Sequence, residues 1–128
     1  MNMIQATLTD QPIPHPLPLD AEGSGALVEF RGLVRPMENE HPIAGLRYEA
    51  YESMAVREMT RILGEIQRAH PFAKAVVCHR LGFVPAGEAA VSVSITAKHR
   101  DEAFAALSAF MDRLKQDVPI WKTEAVPC

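Results

Sequence analysis

The run Ala89-Ala90-Val91-Ser92-Val93-Ser94-Ile95-Thr96 constrains the fold more than any other stretch of this chain. Val91, Val93 and Ile95 alternate with Ser92, Ser94 and Thr96, the period of two of a β-strand. A strand needs neighbours, because its backbone N–H and C=O groups must find partners. Three further runs can supply them. GALVEFRGLVR, beginning at Gly25, sets Val28 and Phe30 against Leu27, Glu29 and Arg31, and the PMENEHP that follows reads as a loop. LRYEAY sets Leu46, Tyr48 and Ala50 against Arg47, Glu49 and Tyr51. AVVCHRL, from Ala75, leads through FVPAGE into the alternating run.

Two amphipathic helices complete the pattern. In the first, Ser53 is placed to cap, Met59, Ile62, Leu63 and Ile66 follow the i, i+3, i+4, i+7 rule, and Pro71 closes the segment after His70. The second starts near His99, has Asp101 and Glu102 in its first turn to suit the dipole, and must finish before Pro119. Its apolar face is predicted to be Phe104, Leu107, Met111 and Leu114. The order ββαββα predicts an α+β fold, with both helices on one side of a mainly antiparallel sheet. Residues 1–24, with Pro12, Pro14, Pro16 and Pro18 followed by AEGSG, read as an extended segment after a short strand at Ile4–Leu8; residues 25–128 read as one domain.

The charge balance, 13 Lys+Arg against 16 Asp+Glu, gives no overall basic field for nucleic acid or an anionic membrane, so any anion site must be local. No apolar run approaches the roughly 18 residues of a membrane span, and MNMIQATLTDQP has no signal-peptide pattern, which predicts a cytoplasmic protein. Cys78 and Cys128 form neither a disulfide framework nor a metal spacing, and Cys78 reads as a small buried hydrophobe.

Basic residues fall at the ends of elements: Arg35 after the first long strand, Lys98-His99-Arg100 at the start of the second helix, and Lys115 and Lys122 around its end. A helix N-terminus favours an anion through its free N–H groups and dipole, and Arg suits phosphate. Taken singly, each of these cations is more often only a solvated charge, and a lysine in a helix's last turn suits the dipole without any function. His79, beside Cys78, reads as a packed or edge histidine; His15, His41 and His70 make no metal spacing. In Asp117-Val118-Pro119-Ile120-Trp121-Lys122-Thr123-Glu124, Trp121 either seals the core or helps hold the Lys122 amine in a partly dry pocket.

Together GALVEFRGLVR, LRYEAYESMA, HRLGFVPAGEAAVSVSITAKHRDEAF and LKQDVPIWKTE resemble, in order and spacing, the large catalytic subunits of molybdopterin synthase, the MoaE family, from about Gly25 to Glu124. The resemblance implies an α/β hammerhead fold and a homodimer at the centre of a heterotetramer. It implies a small ubiquitin-like partner whose C-terminal Gly-Gly thiocarboxylate delivers sulfur to cyclic pyranopterin monophosphate. Two rounds build the dithiolene of molybdopterin, with no cofactor or metal in the step.

Carried over by position, the substrate pocket takes Leu33, Val34, Arg35, His99, Arg100, Lys115, Lys122, Thr123 and Glu124. Arg35, His99 and Arg100 fall to the substrate's phosphate and pterin, some of them supplied across the dimer interface. Lys115 falls to the thiocarboxylate and Lys122 to proton transfer, two roles that could be exchanged. Relatives usually continue some twenty residues past the WK pair and often carry a helix before the first strand. Both departures bear on efficiency and partner affinity. Two other readings predict different behaviour: a dimeric anion-binding module that needs neither lysine, and an inactive scaffold that binds the small subunit without turnover.

Overall fold

The computed structural model describes residues 3–128. The chain runs β1 (Ile4–Thr9), β2 (Ala26–Leu33), β3 (Met37–Glu38), β4 (His41–Ala50), α1 (Glu52–Ala69), β5 (Lys74–Arg80), β6 (Gly82–Pro85), β7 (Ala89–Ala97), α2 (Arg100–Asp117) and β8 (Ile120–Pro127). The expected ββαββα skeleton is present as β2, β4, α1, β5, β7 and α2, and the N-terminal strand appears as β1. Three strands are additions. β3 lies inside the expected loop PMENEHP, β6 at the start of the FVPAGE link, and β8 after Pro119. β8 is almost wholly exposed, so no apolar alternation marks it in the sequence.

The strands form two sheets. In the first, of order β1-β5-β7-β2, β1 is parallel to β5 and the other pairings are antiparallel. Both helices cover one face of it. Met59, Ile62, Leu63 and Ile66 of α1, the predicted stripe, are buried against Ala75, Val77, Val93 and Ile95. On the other face the proline-rich segment lays Ile13 and Leu17 over Val76, Cys78 and Ala89, so Cys78 is the buried hydrophobe expected. In the second sheet, β4 lies between β6 and β8, with β3 turned back on β4 as a hairpin. Both residues of that turn, Asn39 and Glu40, have positive φ, which fits the twist of a two-residue hairpin. Val34, Ile43, Leu46, Val84 and Ala90 form the apolar layer of this second unit.

Two local expectations are corrected. α1 begins at Glu52 with Tyr51 as its N-cap, so Ser53 lies within the first turn and does not cap. Only one residue separates β4 from α1, and Tyr51 is held there by its N–H bond to the Pro119 carbonyl. In α2 the buried stripe is Ala103, Ala106, Phe110 and Leu114. Phe104 is exposed, and Leu107 and Met111 are only partly buried. Ala103 and Ala106 let the first half of the helix lie close to the sheet and fully buried Phe110 supplies the bulk further along, so the stripe lies one residue before the expected Phe104, Leu107 and Met111.

β4 comes close to β6 at Gly45, where a Cβ would stand 2.3 Å from the Val84 carbonyl oxygen and 2.7 Å from the Phe83 ring. The backbone atom cannot yield as a flexible side chain could. Gly45→Ala is expected to lower the unfolding free energy by about 1–3 kcal/mol. The check is a lower urea midpoint at an unchanged m-value.

Candidate functional site

A cavity of about 390 Å³ opens between the two sheets, where β2, β7, β4, β8 and the C-terminal end of α2 meet. Its walls are mainly apolar, with Val34, Ile43, Leu46, Val91, Leu114 and Ile120 among them. Five of the residues singled out in the sequence reach it: Leu33, Val34, Arg35, Lys115 and Lys122.

Local structure explains why these five meet. The β2–β7 register shifts between Gly32 and Leu33, because Gly32 pairs with Val91 while Leu33 pairs with Ala89. Val34 is then clamped by backbone bonds to Glu88 and Gly87, buried, with Arg35 exposed beside it. Lys115 rides on the last turn of α2, next to buried Leu114. That end of the helix is tied to α1: Arg113 bonds Glu65 at 3.1 Å and Asp117 at 2.9 Å. The Arg113 guanidinium, with Arg61 beside it, holds the Glu65 carboxyl below its usual range. Lys122 stands across the strand pair from Tyr48 and donates to Glu38 Oε2 at 2.9 Å.

The other four expected site residues are elsewhere in this chain. His99 and Arg100 sit at the start of α2, about 22 Å along the axis from Lys115 at roughly 1.5 Å per residue. One protomer therefore cannot bring both ends of α2 to one substrate. Thr123 and Glu124 are turned away by a register shift in β8. Tyr48 faces Lys122 but Arg47 faces Glu124, which leaves Thr123 as the extra residue and puts Glu124 on the opposite face, bonded to Arg47 at 2.9 Å. Trp121 fits neither of its readings. It is absent from the cavity wall and from the core, is 44% exposed, and packs edge-on against Tyr51 at 4.9 Å between centroids.

The structure adds three polar residues that the sequence reading did not place in the site: Glu38, Tyr48 and His79. Burial raises the Tyr48 phenol, opposed by the Lys122 charge and reinforced by Glu38. His79 was expected to be packed, and it is buried, but it also lines the cavity. Its Nδ1 lies 2.8 Å from the Arg80 carbonyl, and its ring meets Tyr48 edge-on at 5.1 Å. Glu38 carried no periodic signal inside a loop-like run, and His79 had no neighbour in sequence that hinted at the cavity.

Burial pulls His79 below its ordinary value of 6.5, the bond to the Arg80 carbonyl opposing it less strongly. The unfolded chain therefore takes up this proton more readily than the folded one. The stabilisation is whole above about pH 6.5 and is lost as pH falls through the lower folded value. Urea midpoints measured between pH 7.5 and 5 are expected to fall less steeply in His79→Gln than in the wild type.

Comparison with known proteins agrees with this architecture. The family model described as MoaE protein matches residues 8–117. A molybdopterin synthase catalytic subunit from Oryza sativa subsp. indica is 45% identical over 101 residues, covering 79% of this chain and 52% of that protein. The chain thus spans about half the length of that relative. Among solved structures, a molybdopterin synthase from Staphylococcus aureus superposes with a TM-score of 0.82 at 30% identity, covering 95% of this chain and 90% of that one. A Helicobacter pylori complex of subunits 1 and 2 of molybdopterin-converting factor gives a TM-score of 0.72 at 20% identity over 99% and 90%, a likeness of fold. With the family model covering most of the chain, the α+β core shared with the S. aureus synthase and the cation-lined cavity at the end of α2, this chain belongs to the MoaE protein family.

Proposed function

We propose that this chain is the catalytic subunit of a molybdopterin synthase. It transfers two sulfurs from the C-terminal thiocarboxylate of a small ubiquitin-like subunit to cyclic pyranopterin monophosphate, forming the dithiolene of molybdopterin. The observation that carries this reading is the convergence of Arg35, Lys115 and Lys122 on one apolar-walled cavity, from a strand exit, a helix end and a separate strand. Apolar walls suit a flat heterocycle, and three cations suit its phosphate and an incoming thiocarboxylate.

In this reading Arg35 holds the phosphate, Lys115 the thiocarboxylate, and Lys122 moves the proton during sulfur addition, the two lysines being exchangeable. His99 and Arg100 reach the cavity of a second copy, which makes the working unit a homodimer carrying a small subunit at each end. Exposed Leu27 on the outer strand β2 offers apolar surface for assembly. Thr123 and Glu124 belong to this reading only as residues of the β8 arm outside the cavity, with Glu124 steadying that arm through Arg47. A cytoplasmic location belongs to it as well; among the described residues no helix is long and apolar enough to cross a membrane.

The test is to combine the chain with thiocarboxylated small subunit and cyclic pyranopterin monophosphate and to measure molybdopterin. Product supports the reading. A complex without product would favour an inactive scaffold, and neither complex nor product a simple anion-binding module.

A further inference from the structure

The cavity presents many hydrogen-bond donors and few acceptors. Arg35, Lys115 and Lys122 can only donate. Glu38 accepts, but it is engaged by Lys122 at 2.9 Å, which leaves the Tyr48 phenol, donor and acceptor at once, as the other side-chain acceptor besides His79. A heterocycle with N–H or NH₂ groups needs acceptors as well as a phosphate clamp, since a donor buried without a partner costs affinity.

His79 meets that need. It is 6% exposed, is the penultimate residue of strand β5, and forms part of the cavity wall beside Val91. The Arg80 carbonyl at 2.8 Å from Nδ1 can only accept, so Nδ1 carries a proton. In the neutral ring Nε2 then holds a lone pair. No described residue bonds Nε2, and it is not among the side-chain atoms sealed from solvent without a partner. The edge contact with Tyr48 keeps the ring from turning. The result is an acceptor whose tautomer and orientation are both set before anything binds.

We infer that His79 is a specificity-determining residue whose Nε2 accepts a hydrogen bond from an N–H or NH₂ donor of the heterocycle in the cavity. This rests on the synthase reading and deepens it, because a pterin carries such donors along its pyrimidine edge. A ligand offering only a phosphate and an aromatic ring gains nothing from His79.

The contact also predicts a pH dependence. Protonation turns Nε2 from acceptor to donor and sets it against the bound N–H. The groups around the cavity are Tyr48 on β4, Lys122 on β8, Lys115 on α2, Arg35 after β2 and Glu38 on β3. Burial favours the neutral ring, and the bond from Nδ1 to the Arg80 carbonyl opposes it less strongly; the Glu38 carboxylate is already paired with Lys122.

The experiment uses the full chain with thiocarboxylated small subunit, and wild-type turnover is the control for the synthase reading itself. With turnover established, His79→Phe is expected to raise KM for cyclic pyranopterin monophosphate about tenfold while small-subunit binding is unchanged, the loss of one neutral hydrogen bond. His79→Gln, which retains an acceptor, should recover most of that loss and lack the rise in KM expected of the wild type as pH falls below 6.5. A purely structural role would change the acid dependence of the urea midpoint and leave that of KM as it is. Independently of any variant, ¹⁵N-histidine spectra of the wild type should show the His79 Nε2 resonance unprotonated at pH 7.5 and moved upfield when cyclic pyranopterin monophosphate alone is added. Turnover with an unmoved Nε2 resonance, or with His79→Phe at wild-type KM, would overturn the inference and leave the synthase reading standing. Absence of wild-type turnover would remove the synthase reading instead.

Discussion

Lys122→Ala is expected to lower molybdopterin formation by about 10²–10⁴-fold, the usual range for loss of a positioned proton-transfer group. Lys122 is the one candidate lysine with a defined partner inside the cavity, Glu38 Oε2 at 2.9 Å, and it faces Tyr48 across the β4–β8 pair. Its removal takes away both the amine and the counter-charge of a carboxylate that is only 19% exposed. Fold and assembly should survive, because Lys122 itself is exposed and its strand is held by backbone pairing to β4. Thermal unfolding and small-subunit binding close to wild type, with product reduced at saturating substrate, are the expected results. Lys115→Ala should instead cost about 10²–10³-fold, as for loss of a single group stabilising developing charge. If both variants turn over at the wild-type rate, the proposed chemistry of this cavity is wrong.

The second large effect comes from the length of α2. His99 and Arg100 lie about 22 Å from Lys115 on the same helix, so if they bind substrate they do so in another copy's cavity. Arg100→Ala and Lys122→Ala homodimers should each be nearly inactive. Mixing the two chains through dissociation and reassociation should restore about a quarter of wild-type activity. Half of the dimers are then mixed, and in each of those one of two sites has both its Arg100 and its Lys122 intact. Activity that stays at the level of the separate variants would mean that Arg100 serves its own chain or no site at all.

Much of this was legible in the residues themselves. The α1 stripe could be read correctly because helical periodicity is a local property: Met59, Ile62, Leu63 and Ile66 share a face whatever packs against it. β7 was equally plain, and Arg35, Lys115 and Lys122 stood out as cations at element ends. The α2 stripe was misread because two apolar rows run side by side one residue apart, Ala103, Ala106 and Phe110 beside Phe104, Leu107 and Met111, and only the packing against the sheet decides which row is buried. Trp121 was misplaced because an aromatic next to a lysine in a strand points to the opposite face from it.

The sequence by itself determined the α+β class, the two helices and the chemical kind of site, since these depend on side-chain type and short-range spacing. Only the tertiary structure decided which candidates share a cavity. Strand side chains take their direction from register, and register depends on partners far away in the chain. One extra residue at Thr123, opposite Arg47 and Tyr48, sends Lys122 inward and Glu124 outward. The same non-local pairing brings Glu38 to Lys122 and His79 to Tyr48, neighbours that no local pattern could have announced.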